Sequence, residues 1–145
     1  VILGLSGGVD PALIANLCAN SIGKKKVHAL ILPDKNSNKK DIEDAEKYAK
    51  ELGISYEKKD ISDILNEFTK TTFKIDNRVS IGNLKSRTRM VILYHYANCN
   101  NYLVVGTSNK TELLVGYFTK FGDGGSDMMP IGDLYKTQVW ALSRN

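Results

Sequence analysis

Short, almost uninterrupted apolar runs recur along this chain with helical patterns between them, and that alternation constrains the fold more than any other feature. Val1-Ile2-Leu3-Gly4-Leu5, Val27-His28-Ala29-Leu30-Ile31-Leu32 and Tyr102-Leu103-Val104-Val105-Gly106 read as strands buried on both faces, with a weaker strand over 54–58. Between them, Ala12, Leu13, Leu17 and Cys18 fall toward one side of a helix. Ile42, Ala45, Ala49 and Leu52 form a stripe at spacings of 3, 4 and 3 over 38–52, stopped by Gly53. Ile61, Ile64, Leu65 and Phe68 mark a further helix, a long one is predicted over 83–97, and 137–145 reads as the start of another. Strand–helix alternation of this kind implies an α/β fold, a doubly wound parallel sheet with helices on both faces. Ligands of such sheets bind beyond the carboxyl ends of the strands, which singles out the loops at 6–10, 32–38 and 107–112.

Length and charge narrow the function. A chain of 145 residues is one ordinary domain, 1–145. It begins directly in a strand and ends inside a helical pattern, so we expect a segment of something longer whose C-terminal part is missing. No apolar run approaches the roughly 18 residues of a membrane span, and no signal segment opens the sequence. Residues 1–72 hold 11 lysines and 11 acidic residues, whereas residues 73–145 hold all 4 arginines and the whole surplus of +4. Arginine suits bidentate capture of phosphate or carboxylate, so an anionic substrate and a generic basic face both fit the surplus. A nucleic-acid partner is not expected from so small an excess, with Lys24-Lys25-Lys26 its one basic run. Cys18, Cys99, His28 and His95 stand at no metal-ligand spacing, and the cysteines read as reduced thiols of a cytoplasmic protein.

The first loop carries the clearest chemistry. Leu5-Ser6-Gly7-Gly8-Val9-Asp10 follows a strand and opens a helix, so its N–H groups can line a nest for an anion at the positive helix end. Asp10 would repel a phosphate unless a cation lay between them, which points to Mg²⁺. Alternatively, Asp10 only caps the helix that starts at Pro11. The loop is neither a Walker loop nor a dinucleotide fingerprint.

Ser6-Gly7-Gly8-Val9-Asp10 instead resembles the SGGxDS pyrophosphate loop of the N-type ATP pyrophosphatases, which implies an adenine nucleotide alpha hydrolase-like fold. Five further stretches resemble the ammonia-dependent NAD synthetases within that group. Asn83-Leu84-Lys85-Ser86-Arg87-Thr88-Arg89-Met90 is similar to their NxxARxRM helix, with Ser86 for the usual Ala. Gly106-Thr107-Ser108-Asn109-Lys110-Thr111-Glu112 matches GTxNxxE, and residues 117–127 match [YF]xTKxGDGxxD. Pro130-Ile131 with 134–139 matches their P-l-x-x-L-x-K-x-x-V ending, and 33–45 their stretch after strand two.

The resemblance implies a ligase. ATP would activate the nicotinate carboxylate of deamido-NAD as an adenylate with release of pyrophosphate, and ammonia would displace AMP. It implies that Gly4, Leu5, Ser6, Gly7, Gly8, Val9, Asp10 and Pro11 wrap the ATP phosphates and that Thr107 and Lys136 contact ATP. Asp10 and Glu112 would hold Mg²⁺, and Arg87, Lys120 and Asp127 would hold deamido-NAD. No side chain has the context of a nucleophile. Glu112 could equally be a first-turn acid favoured by the helix dipole, and Arg89 a solvated neighbour of Arg87. The family works as a homodimer. The 83–98 helix, apolar around nearly its whole circumference, is the expected contact, with Tyr94 and Tyr96 packing or at the interface. Two other readings stay open: another ATP pyrophosphatase, GMP synthetase-like or tRNA-modifying, and a catalytically impaired chain that keeps nucleotide binding. The last rests on Pro11, which stands where the pattern has serine and removes a hydroxyl and an N–H, and on the C-terminal part expected to be missing.

Overall fold

The computed structural model describes residues 1–74 and 77–144. Four strands, β1 (Ile2–Gly4), β2 (His28–Ile31), β3 (Ser55–Lys58) and β4 (Val104–Val105), form one sheet in the order β3-β2-β1-β4, every pair parallel. The register is set by Leu3 opposite Ala29 on one side and opposite Val105 on the other. Among the described residues, six α-helices connect and cover the strands: α1 (Val9–Ile22), α2 (Lys39–Leu52), α3 (Ser62–Thr71), α4 (Arg78–Asn100), α5 (Lys110–Val115) and α6 (Lys136–Leu142).

The strand side chains divide between two cores, as the period of two requires. Leu3, Leu5, Ala29, Ile31 and Val105 pack with Ile14, Ala45, Ala49 and Val139 of α1, α2 and α6. Ile2, Leu30, Leu32 and Val104 pack on the other face with Ala97 of α4 and with Ile61, which leads into α3. Helices therefore cover both faces, and the doubly wound expectation holds.

Local signals account for most boundaries. The Asn38 side chain caps α2 by accepting from the Lys40 N–H, and Gly53 ends it in the left-handed conformation. Ala45 and Ala49 of the predicted stripe are fully buried. α4 starts earlier than expected because Asn77 caps it, and it runs to Asn101, which takes the left-handed C-terminal position. β4 is shorter than its apolar run: only Ile2 N–H to Leu103 O extends the pairing, and Leu103 is exposed at the sheet margin. α6 ends at Leu142, short of the predicted 137–145, and Asn145 lies outside the described residues. No helix of the described residues is long and apolar enough to cross a membrane.

At the amino end of β2, away from the loops that follow the strands, His28 is buried and stacked on Tyr96 at 4.8 Å between ring centroids. Ser55 Oγ donates to Val27 O (3.2 Å), so His28 Nδ1 carries the proton donated to Ser55 Oγ (2.8 Å). Nε2 is then a buried acceptor with no hydrogen-bond partner, 3.8 Å from Glu57 Oε1. Burial pushes the imidazole pKa below its usual 6.5, against the pull of Glu57. The folded state thus binds fewer protons than the unfolded chain below that pH, and stability, full above about pH 6.5, falls as pH drops through it. Denaturant unfolding at stepped pH from 7.5 to 5 should show this decline in wild type and a shallower one in His28→Phe, which keeps the ring but cannot titrate. Equal slopes in the two proteins would refute the assignment.

Candidate functional site

The chain leaves β1 for β2 in one direction and returns to the sheet on the other side as β4, so a crevice opens between the carboxyl ends of β1 and β4. A cleft of about 470 Å³ occupies that position. Its walls come from Gly4, Leu5 and Ser6 after β1, from 30–33 with Ser37 and Asn38 after β2, and from 104–107 at β4. Ser86, Arg89, Met90 and Leu93 of α4 and Gly122, Asp123 and Gly125 close it. All three loops singled out by topology adjoin this end of the sheet.

The first loop turns through Gly7, whose φ of +85° is left-handed and whose missing Cβ would collide with the Asp41 carbonyl. Only glycine meets both conditions. Gly8 is the N-cap of α1 and offers no side chain, so the first N–H groups of the helix remain available to an anion. Pro11, buried in that first turn, sits where its missing N–H costs the helix no bond, but it leaves one donor fewer for a ligand.

Asp10 and Glu112 are brought to one place by a residue to which sequence reasoning gave no role. Asn109, completely buried, accepts from the Glu112 N–H (3.1 Å) and donates from Nδ2 to Asp10 Oδ1 (3.2 Å). Glu112 Oε2 in turn accepts from the Asn109 N–H (3.2 Å), completing a capping box on α5. Glu112 is therefore a first-turn acid, and its second oxygen has no part in that box. The signal was present in the sequence as Asn-x-x-Glu ahead of Leu113-Leu114. Lys136 Nζ ion-pairs with Asp10 Oδ2. α5 and α6 are cross-tied by Lys110 N–H to Leu134 O (2.8 Å) and Lys136 N–H to Thr111 Oγ1 (3.1 Å), which aims Lys136 at the first loop.

A second charged group lies behind the α4 wall of the cleft, which Arg89 lines. Asp34, buried, meets Lys85 Nζ at 2.9 Å and Arg89 Nη2 at 3.2 Å. Burial alone would raise its pKa, but hydrogen bonds from Lys85 and the Asn36 N–H, with the charges of Lys85 and Arg89, hold it below the usual carboxylate range. Arg89 Nε also donates to Leu32 O (2.8 Å), fixing the loop after β2 to α4. Arg89 is thus not a solvated neighbour of Arg87 but part of the cleft wall. Its spacing of four and eight from Leu93 and Ala97, which face the sheet, was the clue.

The remaining expected residues lie farther round. Arg87 Nε donates to Lys120 O (3.2 Å), joining two of the three expected dinucleotide contacts through backbone. Asp127 is engaged elsewhere, since Oδ1 accepts from Tyr94 OH (3.0 Å) and Oδ2 from the Val104 N–H (2.7 Å), which satisfies the margin of β4. Its own N–H bonds Val104 O (2.9 Å), and Met128 bridges to Val105 beside it. Tyr96 OH donates to Glu57 (3.1 Å), so both tyrosines expected to pack or meet a partner subunit are engaged within the chain.

Removing Asn109 should cost twice, through the α5 cap and through Asp10. Asn109→Ala is expected to lower the free energy of unfolding by about 2 kcal/mol, read from denaturant midpoints at unchanged m-value. A loss below about 0.5 kcal/mol, the ordinary scatter of surface substitutions, would show that the bridge contributes nothing.

Comparison with known proteins gives consistent matches along the chain. The family model for NAD synthase matches residues 1–145. The NH(3)-dependent NAD(+) synthetase of Methanococcus aeolicus is 50% identical over 147 residues, covering 99% of this chain and 58% of its own length. That of Thermococcus sibiricus is 52% identical over 144 residues, with 99% and 56% covered. Among solved structures, the NH3-dependent NAD synthetase of Campylobacter jejuni in complex with the nitrate ion superposes with a TM-score of 0.93 at 45% identity, over 99% of this chain and 62% of that one. The NMN synthetase of Francisella tularensis has the same TM-score at 38% identity, with 99% and 59% covered. The chain spans somewhat more than half the length of these relatives.

Proposed function

Because this chain belongs to the NAD synthase family, we propose that the protein amidates deamido-NAD to NAD, consuming ATP and ammonia through an adenylate and releasing AMP and pyrophosphate. The observation that carries the reading is the cleft at the β1/β4 crevice, lined by Ser6 of the first loop and by Arg89, which is paired with Asp34 behind the wall, with the Asp10–Lys136 ion pair next to that loop at the first turn of α1.

In this reading Gly4 to Pro11 wrap the ATP phosphates, with the N–H groups of the first α1 turn as donors. Thr107, in the cleft, and Lys136 contact the same nucleotide. Asp10 and Glu112 offer hard carboxylate oxygens joined through Asn109, a donor set that suits Mg²⁺, which takes one or two carboxylates and completes its shell with phosphate and water. Among the described residues no group of three or more His, Cys, Asp or Glu is assembled, so phosphate oxygens must supply the rest. When bound, Mg²⁺ neutralises the phosphates and steadies the pyrophosphate leaving group. Lys136 keeps the Asp10 charge neutralised before any nucleotide arrives, so an incoming phosphate does not meet a bare carboxylate. Arg87 and Lys120 hold deamido-NAD at the mouth formed by α4 and the glycine-rich segment, and Asp127, whose oxygens already accept from Tyr94 and Val104, offers its remaining lone pairs as a further acceptor. The protein's contribution is positioning and charge neutralisation rather than a nucleophile. The protein works in the cytoplasm, where Cys18 and Cys99 stay reduced.

Pyrophosphate release should require deamido-NAD, AMP release and turnover beyond one equivalent should require ammonia as well, and Asp10→Asn should weaken Mg-ATP binding at least tenfold, about 1.4 kcal/mol. Release on nicotinate mononucleotide instead would move the reading toward the activity named for the Francisella tularensis relative. Release driven by tRNA would indicate a tRNA-modifying pyrophosphatase. Mg-ATP binding without release would indicate the impaired chain that Pro11 suggests.

The homodimer belongs to the same proposal. Of the apolar residues of α4, Ile92, Leu93, Tyr94 and Tyr96 pack toward the sheet, whereas Val91 is exposed on the outward face beside Arg87 and His95. An isologous contact through that face would place the expected dinucleotide residues near the subunit boundary. Sedimentation equilibrium at micromolar concentration should give a dimer that Val91→Asp shifts toward monomer. A wild-type monomer throughout that range would reject the contact.

A further inference from the structure

One face of α4 grips the glycine-rich segment at four points. Ser86 Oγ donates to Asp123 Oδ1 (2.5 Å) and accepts from the Asp123 N–H (2.9 Å). Asp123 Oδ1 also accepts from the Thr119 N–H (3.0 Å), and Thr119 Oγ1 donates to Asn83 Oδ1 (2.8 Å). Arg87 Nε holds Lys120 O, and Met90 packs beneath Gly125. Contact is close enough that a Cβ on Gly122 would stand 2.5 Å from Ser86 Oγ. Asn83, Ser86, Arg87 and Met90 follow the three-and-four spacing of one helix face. Ser86, Met90, Gly122, Asp123 and Gly125 all line the cleft.

Ser86 stands where the pattern this chain resembles has alanine. Its hydroxyl is donor and acceptor to the same residue, a pairing alanine cannot make. We propose that Ser86 is a positioning residue for the dinucleotide co-substrate: through Asp123 it fixes segment 119–125 as a preformed wall of the cleft, so that the ligand need not order it on binding. This rests on the reading of the cleft as the ATP and deamido-NAD site. Ser86 acts through Asp123 and touches no reacting atom.

The test uses the full chain as wild type, Ser86→Ala and Asp123→Ala, with the double variant. Alanine is the usual residue of the pattern at position 86, so the first variant is expected to fold. Amide hydrogen exchange should accelerate about tenfold or more at Asp123 and Thr119 in Ser86→Ala, since the first N–H is tied directly and the second through the Asp123 carboxylate to the lost bond. KM for deamido-NAD should rise at least fivefold with kcat within twofold, Mg-ATP affinity should stay within twofold, and the double variant should be no worse than Asp123→Ala. Unchanged exchange with intact deamido-NAD binding would overturn the role of Ser86. Faster exchange with unchanged KM would overturn the coupling to the ligand, and a raised KM with unchanged exchange would mean direct contact instead. A wild type that binds Mg-ATP but not deamido-NAD, with the exchange difference still present, would overturn the dinucleotide as ligand and with it the proposed reaction.

Discussion

β1 is the strand on which the rest of the molecule is hung. It is three residues long, pairs in parallel with a strand on each side, and is covered by helices on both faces. Ile2 and Leu3 are completely inaccessible to solvent. A parallel strand cannot be joined to its neighbours by a hairpin, so each connection must leave the sheet and cross over it. With β2 and β3 added on one side and β4 on the other, the crossovers diverge at the carboxyl end of β1. That divergence opens the cleft and puts the Ser6-Gly7-Gly8 turn at its entrance.

Around that opening, charge is balanced within the chain. The net-neutral first half contributes the carboxylates of Asp10 and Asp34, and the basic second half contributes Lys85, Arg89 and Lys136, which pair with them. An isolated buried carboxylate would be expensive, and each is held in place by cations and by hydrogen bonds that use its oxygens. The +4 surplus visible in the sequence is therefore not simply a basic face. Part of it serves as internal counter-charge, and part, including Arg87 and Lys120, remains at the rim.

Several elements could be read directly from the sequence because their causes are local. The α2 stripe of Ile42, Ala45, Ala49 and Leu52, with Asn38 before it and Gly53 after, needs nothing beyond its own periodicity and caps. The Ser6-Gly7-Gly8 turn was recognisable for the same reason. The roles of Asn109, Asp34 and Arg89 were harder to see. Each bonds a partner more than fifty residues away, and a polar residue that caps, pairs or is solvated looks the same in one dimension. Asp127 behaves likewise: its place in a motif says nothing of Tyr94 and the β4 backbone, from which its two oxygens accept.

The sequence by itself determined the parallel α/β architecture and the Ser6-Gly7-Gly8 turn, because apolar periodicity, glycine and caps act through residues a few positions apart, and its motifs carried the resemblance to the family. Tertiary structure alone decided which acids meet which cations, that Asn109 joins Asp10 to Glu112, and that α4 turns Arg89 inward while Ser86 holds Asp123. Those outcomes depend on the angles at which helices cross the sheet. Side-chain packing across many crossovers sets these angles, and no short stretch of the chain encodes them.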